Sequence, residues 1–133
     1  MICKTILLVD DEKLIRWSLK KELEKSGYTI LEAENAREAL NICKEKVPDL
    51  ILLDQILPDI AGLDILPEIQ RIDPILPVII LTAVDKSRTA VQALKSGAFD
   101  YINKPVNLEE LKVVIEKAYE STRLKRQVVH LIK

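Results

Sequence analysis

The stretch "LILLDQILPD", residues 50–59, decides the fold and contains one acid that needs an explanation. Residues 50–53 are all aliphatic, which is typical of a strand that is buried on both faces of a parallel sheet. This run leads directly into Asp54, and Pro58 and Gly62 follow. Taken alone, these three residues predict only a turn. The role of Asp54 therefore depends on which other residues reach the same end of the sheet.

Four more apolar runs accompany this one, and amphipathic stretches separate them. One such stretch places Ile15, Leu19 and Leu23 at helical spacing. Five strand–helix units predict an α/β fold with a five-stranded parallel sheet and helices on both faces. The second and fifth runs contain more polar residues, which places them toward the sheet edges. The five runs are "TILLV" (5–9), "YTILEA" (28–33), "LILL" (50–53), "PVIILT" (77–82) and "FDYIN" (99–103).

Several residues mark where the helices begin and end. Gly27 and Gly97 follow the first and fourth predicted helices, where a residue that tolerates positive φ ends a helix well. Asn107 with Glu110 predicts a capping pair at the start of the last helix. Pro67 lies inside the third helical stretch, and a proline in a helix interior removes a backbone hydrogen bond. The third helix is therefore predicted to start late or to bend.

The composition limits the class of protein. The chain has 133 residues, 48% apolar and 31% charged, with a net charge of −1. These values predict one globular domain and no direct binding to nucleic acid. Only three glycines are present, so no glycine-rich phosphate-binding loop is expected. Cys3 and Cys43 lack metal-ligand spacing and predict buried thiols in a reducing compartment. With no long apolar run, the sequence predicts a cytoplasmic protein without a membrane span.

Polar residues follow the predicted strands at corresponding positions. Asp10 and Asp11 follow the first strand, Asp54 the third, Thr82 ends the fourth, and Lys104 follows the fifth. Ligands of open parallel sheets bind beyond the carboxyl ends of the strands. Singly, these residues could be helix caps or a solvated lysine, but together they predict a site. Clustered carboxylates suit Mg²⁺, and an aspartate there is suited to nucleophilic attack on phosphorus.

Four segments together resemble the response-regulator receiver domains, the CheY-like family. The resemblance extends over about residues 4–120 and implies a doubly wound (βα)5 flavodoxin-like domain with strand order 2-1-3-4-5. It implies a receiver domain at residues 1–120. Residues 121–133 would then extend the last helix and start a linker to an effector domain. The segments are "LLVDDE" (7–12), "LILLDQILPDIAGL" (50–63), "VIILTA" (78–83) and "GAFDYINKP" (97–105).

The resemblance also implies a phosphoacceptor site. Asp54 would accept the phosphoryl group. Asp11, Asp54 and the backbone carbonyl of Ile56 would bind Mg²⁺ directly, and Asp10 would act through water. Lys104 would pair with the phosphoryl oxygens. Such a domain is not an enzyme in the usual sense, because it promotes only its own phosphorylation and dephosphorylation.

The resemblance also implies residues that change conformation after phosphorylation and residues that shape the loops of the site. Thr82 would be the switch hydroxyl and Tyr101 the aromatic that changes rotamer. Pro58 and Gly62 match the turn after the acceptor, and Pro105 matches a position that usually follows a cis bond.

Two positions depart from the common pattern of the family. Gln55 is polar where an aliphatic residue is frequent, and Ile56 is apolar where many receivers carry asparagine or an acid. Neither departure removes a ligand. The side chain of Ile56 bears on water access and therefore on the lifetime of the phosphoryl group.

The segment "GAFDYINKPVNLEEL" (97–111) and the long last helix resemble most closely the receivers of NtrC-type sigma-54-dependent transcription activators. This implies a sensor histidine kinase as phosphodonor and, on the same polypeptide, an ATPase module and a DNA-binding domain. The chain would then be an excised receiver rather than a single-domain regulator. A homodimer could form through the fourth helix, fifth strand and fifth helix.

The C-terminal residues bear on dimerisation. Leu124, Val128 and Leu131 fall at 4,3 spacing, which predicts either a short coiled-coil seam or a solvated helix end. The net charge of residues 120–133 is +3, which is too small to predict nucleic-acid binding. His130 lies on this segment, away from the acids, and is not expected to be catalytic.

Two other functions remain open on sequence grounds. One is a phosphorylation-independent dimerisation module with a receiver fold. The other is a metal-dependent phosphatase that acts on a separate substrate. The complete set of acids, hydroxyl and ammonium argues against the first. The lack of an inserted cap or of a second acid–base residue beside Asp54 argues against the second.

Overall fold

A computed structural model of the chain describes residues 4–83, 92 and 95–132, with side chains as far as Val128. Most of the fourth helix predicted before Gly97 lies outside the described residues. The strands are β1 (Thr5–Val9), β2 (Thr29–Ala33), β3 (Leu50–Asp54), β4 (Val78–Thr82) and β5 (Asp100–Asn103). The helices are α1 (Lys13–Lys25), α2 (Ala36–Lys46), a 3₁₀ turn (Gly62–Ile65), α3 (Leu66–Ile72) and the C-terminal helix (Leu108–Ile132).

The five strands form one parallel sheet in the order β2-β1-β3-β4-β5. This confirms the predicted fold class and strand order. Strand β3 lies in the centre, and all five of its residues are buried. The two more polar strands, β2 and β5, form the edges, as their composition predicted.

Alternate residues of each strand face two separate cores. Ile6 and Leu8 pack with α1 and the C-terminal helix on one face of the sheet. Leu7 and Val9 pack with α2 and α3 on the other face. Because side chains alternate along a strand, one aliphatic run supplies both cores. The double burial of β3 explains why residues 50–53 contain no polar side chain.

The helix boundaries marked by Gly27 and by Asn107 with Glu110 agree with the structure, and the structure also fixes where α3 begins. This helix begins at Leu66, directly after the 3₁₀ turn, and Pro67 lies in its first turn. A proline there removes no hydrogen bond of the helix interior, so of the two predicted outcomes, a late start or a bend, the structure shows the late start. Gly27 and Gly97 have φ values of +98° and +96°. The Glu110 N–H donates to the side chain of Asn107 at 3.0 Å, as predicted for a cap.

The C-terminal helix continues through residues 121–132 without interruption. Leu124 and Val128 are 50% and 55% exposed, so this part of the predicted seam faces solvent. The side chains of Leu131 and His130 lie outside the described residues. No helix in the described ranges is long and apolar enough to cross a bilayer.

The two cysteines can be placed only in part. Cys43 is buried in the core beneath α2, as predicted. Burial raises the pKa of its thiol to about 11, so it is un-ionised at neutral pH. Cys3 lies outside the described residues.

Candidate functional site

The carboxyl ends of the central strands bring the predicted polar residues together. Asp10 follows β1, Asp54 and Thr82 are the last residues of β3 and β4, and Lys104 follows β5. Strand β3 pairs with both β1 and β4, and the Lys104 N–H donates to the carbonyl of Thr82 at 2.8 Å. The parallel topology thus places residues that are distant in sequence at one edge of the sheet.

Lys104 links two buried carboxylates. Its Nζ lies 3.0 Å from Asp10 Oδ2 and 2.9 Å from Asp54 Oδ2. Asp10 is fully buried and Asp54 is 4% exposed. Lys104, whose side chain is 13% exposed, is therefore a half-buried partner of the two acids and not a solvated lysine.

The charges at the site are not balanced. Burial raises the pKa of Asp54, as does the negative charge of Asp10, while hydrogen bonds from Lys104 and the Ile56 N–H oppose the rise without cancelling it. Burial also disfavours the charged form of Lys104, but its hydrogen bonds to the two acids outweigh this and raise its pKa. A single ammonium thus faces two carboxylates, and further positive charge would stabilise the ionised form of Asp54.

The site has the donor set of a divalent cation. Asp10, Asp11 and Asp54 each offer a carboxylate oxygen, and these oxygens lie within 4.8 Å of one another. Asp11 is exposed, so the cluster is open to solvent on one side. Magnesium prefers a few carboxylates together with carbonyl oxygen and water. These residues therefore fit the predicted ion.

The loop after Asp54 is closed by its own hydrogen bonds. The Ile56 N–H donates to Asp54 Oδ1 at 3.1 Å, and the Gly62 N–H donates to the Gln55 carbonyl at 2.8 Å. The Gln55 side chain accepts from the Leu63 N–H at 2.9 Å. The polar residue at position 55, a departure from the family pattern, thus closes the loop. Ile56 is 59% exposed, so its side chain is not part of the core.

Asp59, which the sequence did not single out, attaches this loop to α2. Its carboxylate accepts from the N–H groups of Ala36 at 2.9 Å and Arg37 at 3.0 Å. Slight burial raises the pKa of Asp59, but these backbone hydrogen bonds outweigh it, and the net pKa is lowered. A carboxylate is favourable at a helix N-terminus. Because the partner helix is distant in sequence, no local pattern indicated this contact.

Arg16 is a second residue that the sequence did not indicate. It is buried, and its guanidinium donates to the Asp10 carbonyl and to the carboxylate of Glu32. The only available signal was its place beside the apolar stripe of α1, next to Ile15 and one turn before Leu19. A charged residue at such a position ordinarily suggests the edge of a solvated face.

The remaining predicted residues occupy different surroundings. Thr82 is fully buried at the end of β4. Tyr101 is half-buried and packs against the core beneath α2 and α3. Pro58 is exposed in the loop after Asp54. The bond between Lys104 and Pro105 is cis, as predicted.

Gly62 makes a close approach that predicts a strong effect of substitution. A Cβ at this position would collide with the Asp54 carbonyl oxygen and lie 3.1 Å from the Cα of Gln55. Gly62→Ala is therefore expected to displace the loop and to lower the free energy of unfolding by about 1–3 kcal/mol. Magnesium affinity, measured by calorimetric titration, should fall along with stability, because the loop adjoins Asp54.

Gly27→Ala is a matched control for Gly62→Ala. A Cβ at Gly27 meets nothing within 4 Å, but φ is +98°. This variant should lose about 1–2 kcal/mol of stability through backbone strain and keep its magnesium affinity. If Gly62→Ala retained wild-type affinity, the close approach would have no bearing on the site.

Comparison with known proteins gives a consistent result. The profile of the response regulator receiver domain matches residues 6–116. The chain is 36% identical over 126 residues to the regulatory protein AtoC of Escherichia coli, covering 95% of this chain and 27% of AtoC. It is 40% identical over 113 residues to the DNA-binding transcriptional regulator NtrC of Escherichia coli, covering 85% of this chain and 24% of NtrC. The chain thus spans about a quarter of these relatives.

Solved structures show the same fold. A CheY-like response regulator receiver domain protein from Methanospirillum hungatei superposes with a TM-score of 0.87 at 32% identity, covering 93% of this chain and 99% of the other. NtrX from Brucella abortus superposes with a TM-score of 0.89 at 36% identity, covering 98% of this chain and 30% of NtrX.

Proposed function

Because the chain belongs to the response regulator receiver domain family, whose function is switching by phosphorylation, we propose that it accepts a phosphoryl group on Asp54. The observation that carries this proposal is the arrangement around that residue. Asp54 is almost fully buried at the end of the central strand, bonds Lys104 at 2.9 Å, and lies within reach of two further carboxylates. An aspartate in such surroundings is suited to nucleophilic attack on phosphorus.

The transfer step follows from the residues around Asp54. A carboxylate oxygen of Asp54 forms a bond to phosphorus, and the bond from phosphorus to the leaving group of the donor breaks. With a phosphohistidine donor, the imidazole nitrogen keeps that electron pair. The ammonium of Lys104 already lies beside Asp54 Oδ2, where it would offset charge on the phosphoryl oxygens.

We assign the cation ligands as Asp11, Asp54 and the backbone carbonyl of Ile56, with Asp10 acting through water. A bound Mg²⁺ would supply positive charge against the transferred phosphoryl group. Asp10 is oriented by Lys104 and by the Glu12 N–H at 2.9 Å. The hydrogen bond from the Ile56 N–H to Asp54 holds the start of the loop that carries the Ile56 carbonyl.

Phosphorylation would then bias two conformations of the domain. The added charge of about −1.5 to −2 and the new acceptor oxygens would attract the Thr82 hydroxyl and Lys104. Strands β4 and β5 pair in register, with Thr82 opposite Asn103 and Ile80 opposite Tyr101. A displacement of Thr82 would therefore shift the paired strand β5 and change the surroundings of Tyr101. To change the ratio of active to inactive conformation from 1:99 to 99:1, phosphorylation must stabilise the active conformation by about 5.5 kcal/mol relative to the inactive one.

The partners follow from the same function. We propose a sensor histidine kinase as donor, in the cytoplasm, and control of transcription as output. Residues 121–133 would start a linker. An effector of the sigma-54-dependent type, with ATPase and DNA-binding modules, would follow that linker on the same polypeptide. The similarity to NtrC, which is named a DNA-binding transcriptional regulator, supports this. The exposed Leu124 and Val128 support a homodimer through the C-terminal helix. The predicted fourth helix and β5 would complete its interface.

A direct test is phosphorylation by a small donor. The purified chain is incubated with an acyl phosphate, with Mg²⁺ or with a chelator, and its intact mass is measured. One phosphoryl group should be added only with Mg²⁺, and peptide mapping should place it on Asp54. Asp59→Asn is a matched control, because Asp59 is an exposed carboxylate that contacts α2. This variant should still be labelled. No mass gain in the wild-type protein would exclude the proposal.

A further inference from the structure

We propose that Arg16 is a positioning residue of the cation site. It fixes the peptide between Asp10 and Asp11, so that the Asp11 carboxylate is presented to a divalent cation. This inference rests on the proposed function, because it concerns the ion that the same site would bind. Arg16 itself would touch neither the ion nor the phosphoryl group.

The first support is the burial and the contacts of Arg16. The Arg16 side chain is 11% exposed, and its Nε lies 3.3 Å from Glu32 Oε1. Its Nη1 donates to the Asp10 carbonyl, and its Nη2 lies 3.9 Å from Glu34 Oε2. One planar guanidinium thus joins helix α1, the end of β2 and the loop after β1. Arginine is suited to this role because its rigid fork can serve several acceptors at once.

The second support is that each polar group of Asp10 has its own partner. The Asp10 N–H donates to the Ala33 carbonyl at 3.1 Å. The Oδ1 atom accepts from the Glu12 N–H at 2.9 Å, and Oδ2 accepts from Lys104 at 3.0 Å. Arg16 takes the remaining group, the carbonyl. Because the peptide unit is planar, holding this carbonyl also sets the N–H and Cα of the next residue, Asp11.

A positioning role and a purely electrostatic role of Arg16 predict opposite changes in cation affinity when Arg16 is removed. Arg16 offsets the charge of Glu32 and Glu34 near the acidic cluster. If Arg16 acted only by its charge, its removal would make the site more negative and would tighten the binding of a cation. If Arg16 acts by holding the peptide, its removal loosens Asp11 and weakens binding. The sign of the change therefore separates the two roles.

Lys20 provides the matched control. Its Nζ lies 3.2 Å from Glu32 Oε2, so it shares an ion-pair partner with Arg16 and lies on the same helix. Its ammonium donates a hydrogen bond to Glu32 and not to the Asp10 carbonyl, which Arg16 holds. Lys20→Gln removes the same unit of charge from the same cluster and leaves the Asp10 carbonyl with its donor.

The test compares Arg16→Gln, Arg16→Lys and Lys20→Gln with wild type by calorimetric titration of Mg²⁺. Arg16→Gln is expected to raise the Kd for Mg²⁺ about tenfold, as loss of a partner that orients a metal ligand commonly does. Arg16→Lys should raise it less, because a lysine can reach the carbonyl but lacks the fork. Lys20→Gln should leave the Kd unchanged or lower it. Thermal unfolding without Mg²⁺ reports the structural cost of each substitution separately.

Phosphorylation provides a second readout. With an acyl phosphate donor, the Mg²⁺ concentration for half-maximal labelling should rise in Arg16→Gln, while the rate at saturating Mg²⁺ stays near that of wild type. An unchanged or lower Kd for Arg16→Gln would overturn the inference. If that variant does not fold, Arg16→Met, which keeps an unbranched side chain but has no donor for the Asp10 carbonyl, is titrated instead, and an unchanged or lower Kd for it overturns the inference. Failure of the proposed function is a different result, because the wild-type protein would then take no phosphoryl group.

Discussion

Asp54→Asn is expected to abolish phosphoryl transfer and, at neutral pH, to raise the free energy of unfolding of the metal-free protein. The first effect follows because the amide cannot act as the carboxylate nucleophile. The second follows because ionised Asp54 is destabilising: burial raises its pKa, and Asp10 adds to the rise. An isosteric neutral side chain removes that repulsion and still offers Lys104 an acceptor. Intact mass measures the first effect, and denaturant unfolding measures the second.

The pH dependence of this stabilisation has a definite sign. The pKa of Asp54 is higher in the folded protein than its ordinary value of 3.8. The stabilising contribution of protonated Asp54 is therefore fully present below the ordinary pKa of 3.8. It is lost as the pH rises through the higher pKa of the folded protein. The difference between Asp54→Asn and wild type should be small in acid and should grow toward pH 7. A variant that is less stable than wild type at pH 7, or that is labelled equally, would contradict the assignment.

Lys104→Met is expected to cause the largest loss of stability. It leaves Asp10 and Asp54 buried side by side without the ammonium that bonds both. Removing one partner of a buried ion pair costs about 3–5 kcal/mol. The loss should be greatest at neutral pH and should shrink in acid, where protonation neutralises Asp54, whose pKa is raised. Urea unfolding at pH 7 and pH 5 measures both values.

The ion pairs of Lys104 should also respond to added Mg²⁺ and to a second substitution. Mg²⁺ should restore more stability to Lys104→Met than to wild type, because the cation replaces the missing positive charge. Combining Lys104→Met with Asp54→Asn should cost less than Lys104→Met alone, since only one buried carboxylate then remains. Lys117→Met, at an exposed position on the C-terminal helix, is the control and should change stability little. An equally small change for Lys104→Met would show that the buried ion pairs have no net effect on stability.

The pKa of Lys104 adds a prediction at alkaline pH. Its pKa is raised above the ordinary value of 10.5, because hydrogen bonds to Asp54 and Asp10 outweigh its burial. The stability from the charged lysine is therefore present below about pH 10.5 and is lost as the pH rises through the folded pKa. Lys104→Met should lack this alkaline loss.

Much of the fold was predictable because its signals are local. An aliphatic run such as residues 50–53 is stable only where both faces are covered, and five such units with helices between them leave few topologies. Gly97 and Asn107 marked helix boundaries for reasons that lie within a few residues of each. Pro67 predicted that α3 starts late or bends, and the structure shows the late start. The strand ends then placed the acids, the hydroxyl and the ammonium at one edge of the sheet.

The contacts that complete the site were not predictable in this way. In the sequence, Arg16 has the position of a residue at the edge of a solvated helix face, and its acceptor Glu32 on β2 is known only from the structure. Asp59 has the position of an ordinary turn residue, and its donors at the start of α2 are likewise known only from the structure. Gln55 looked like a departure from the family pattern, whereas the structure shows it closing the loop through the Leu63 N–H. Each depends on a partner that the chain brings near only by folding.

The sequence by itself determined the strands, the sheet order through its family resemblance, and which end of the sheet holds the acids. The tertiary structure decided which partner each polar group has. The physical reason is that apolar periodicity reports burial within one element, whereas a hydrogen bond depends on an approach of about 3 Å between two elements. Lys104 illustrates both cases. Its position after the fifth strand was predicted from the sequence, whereas its hydrogen bonds to Asp10 and Asp54 depend on the packing of the sheet.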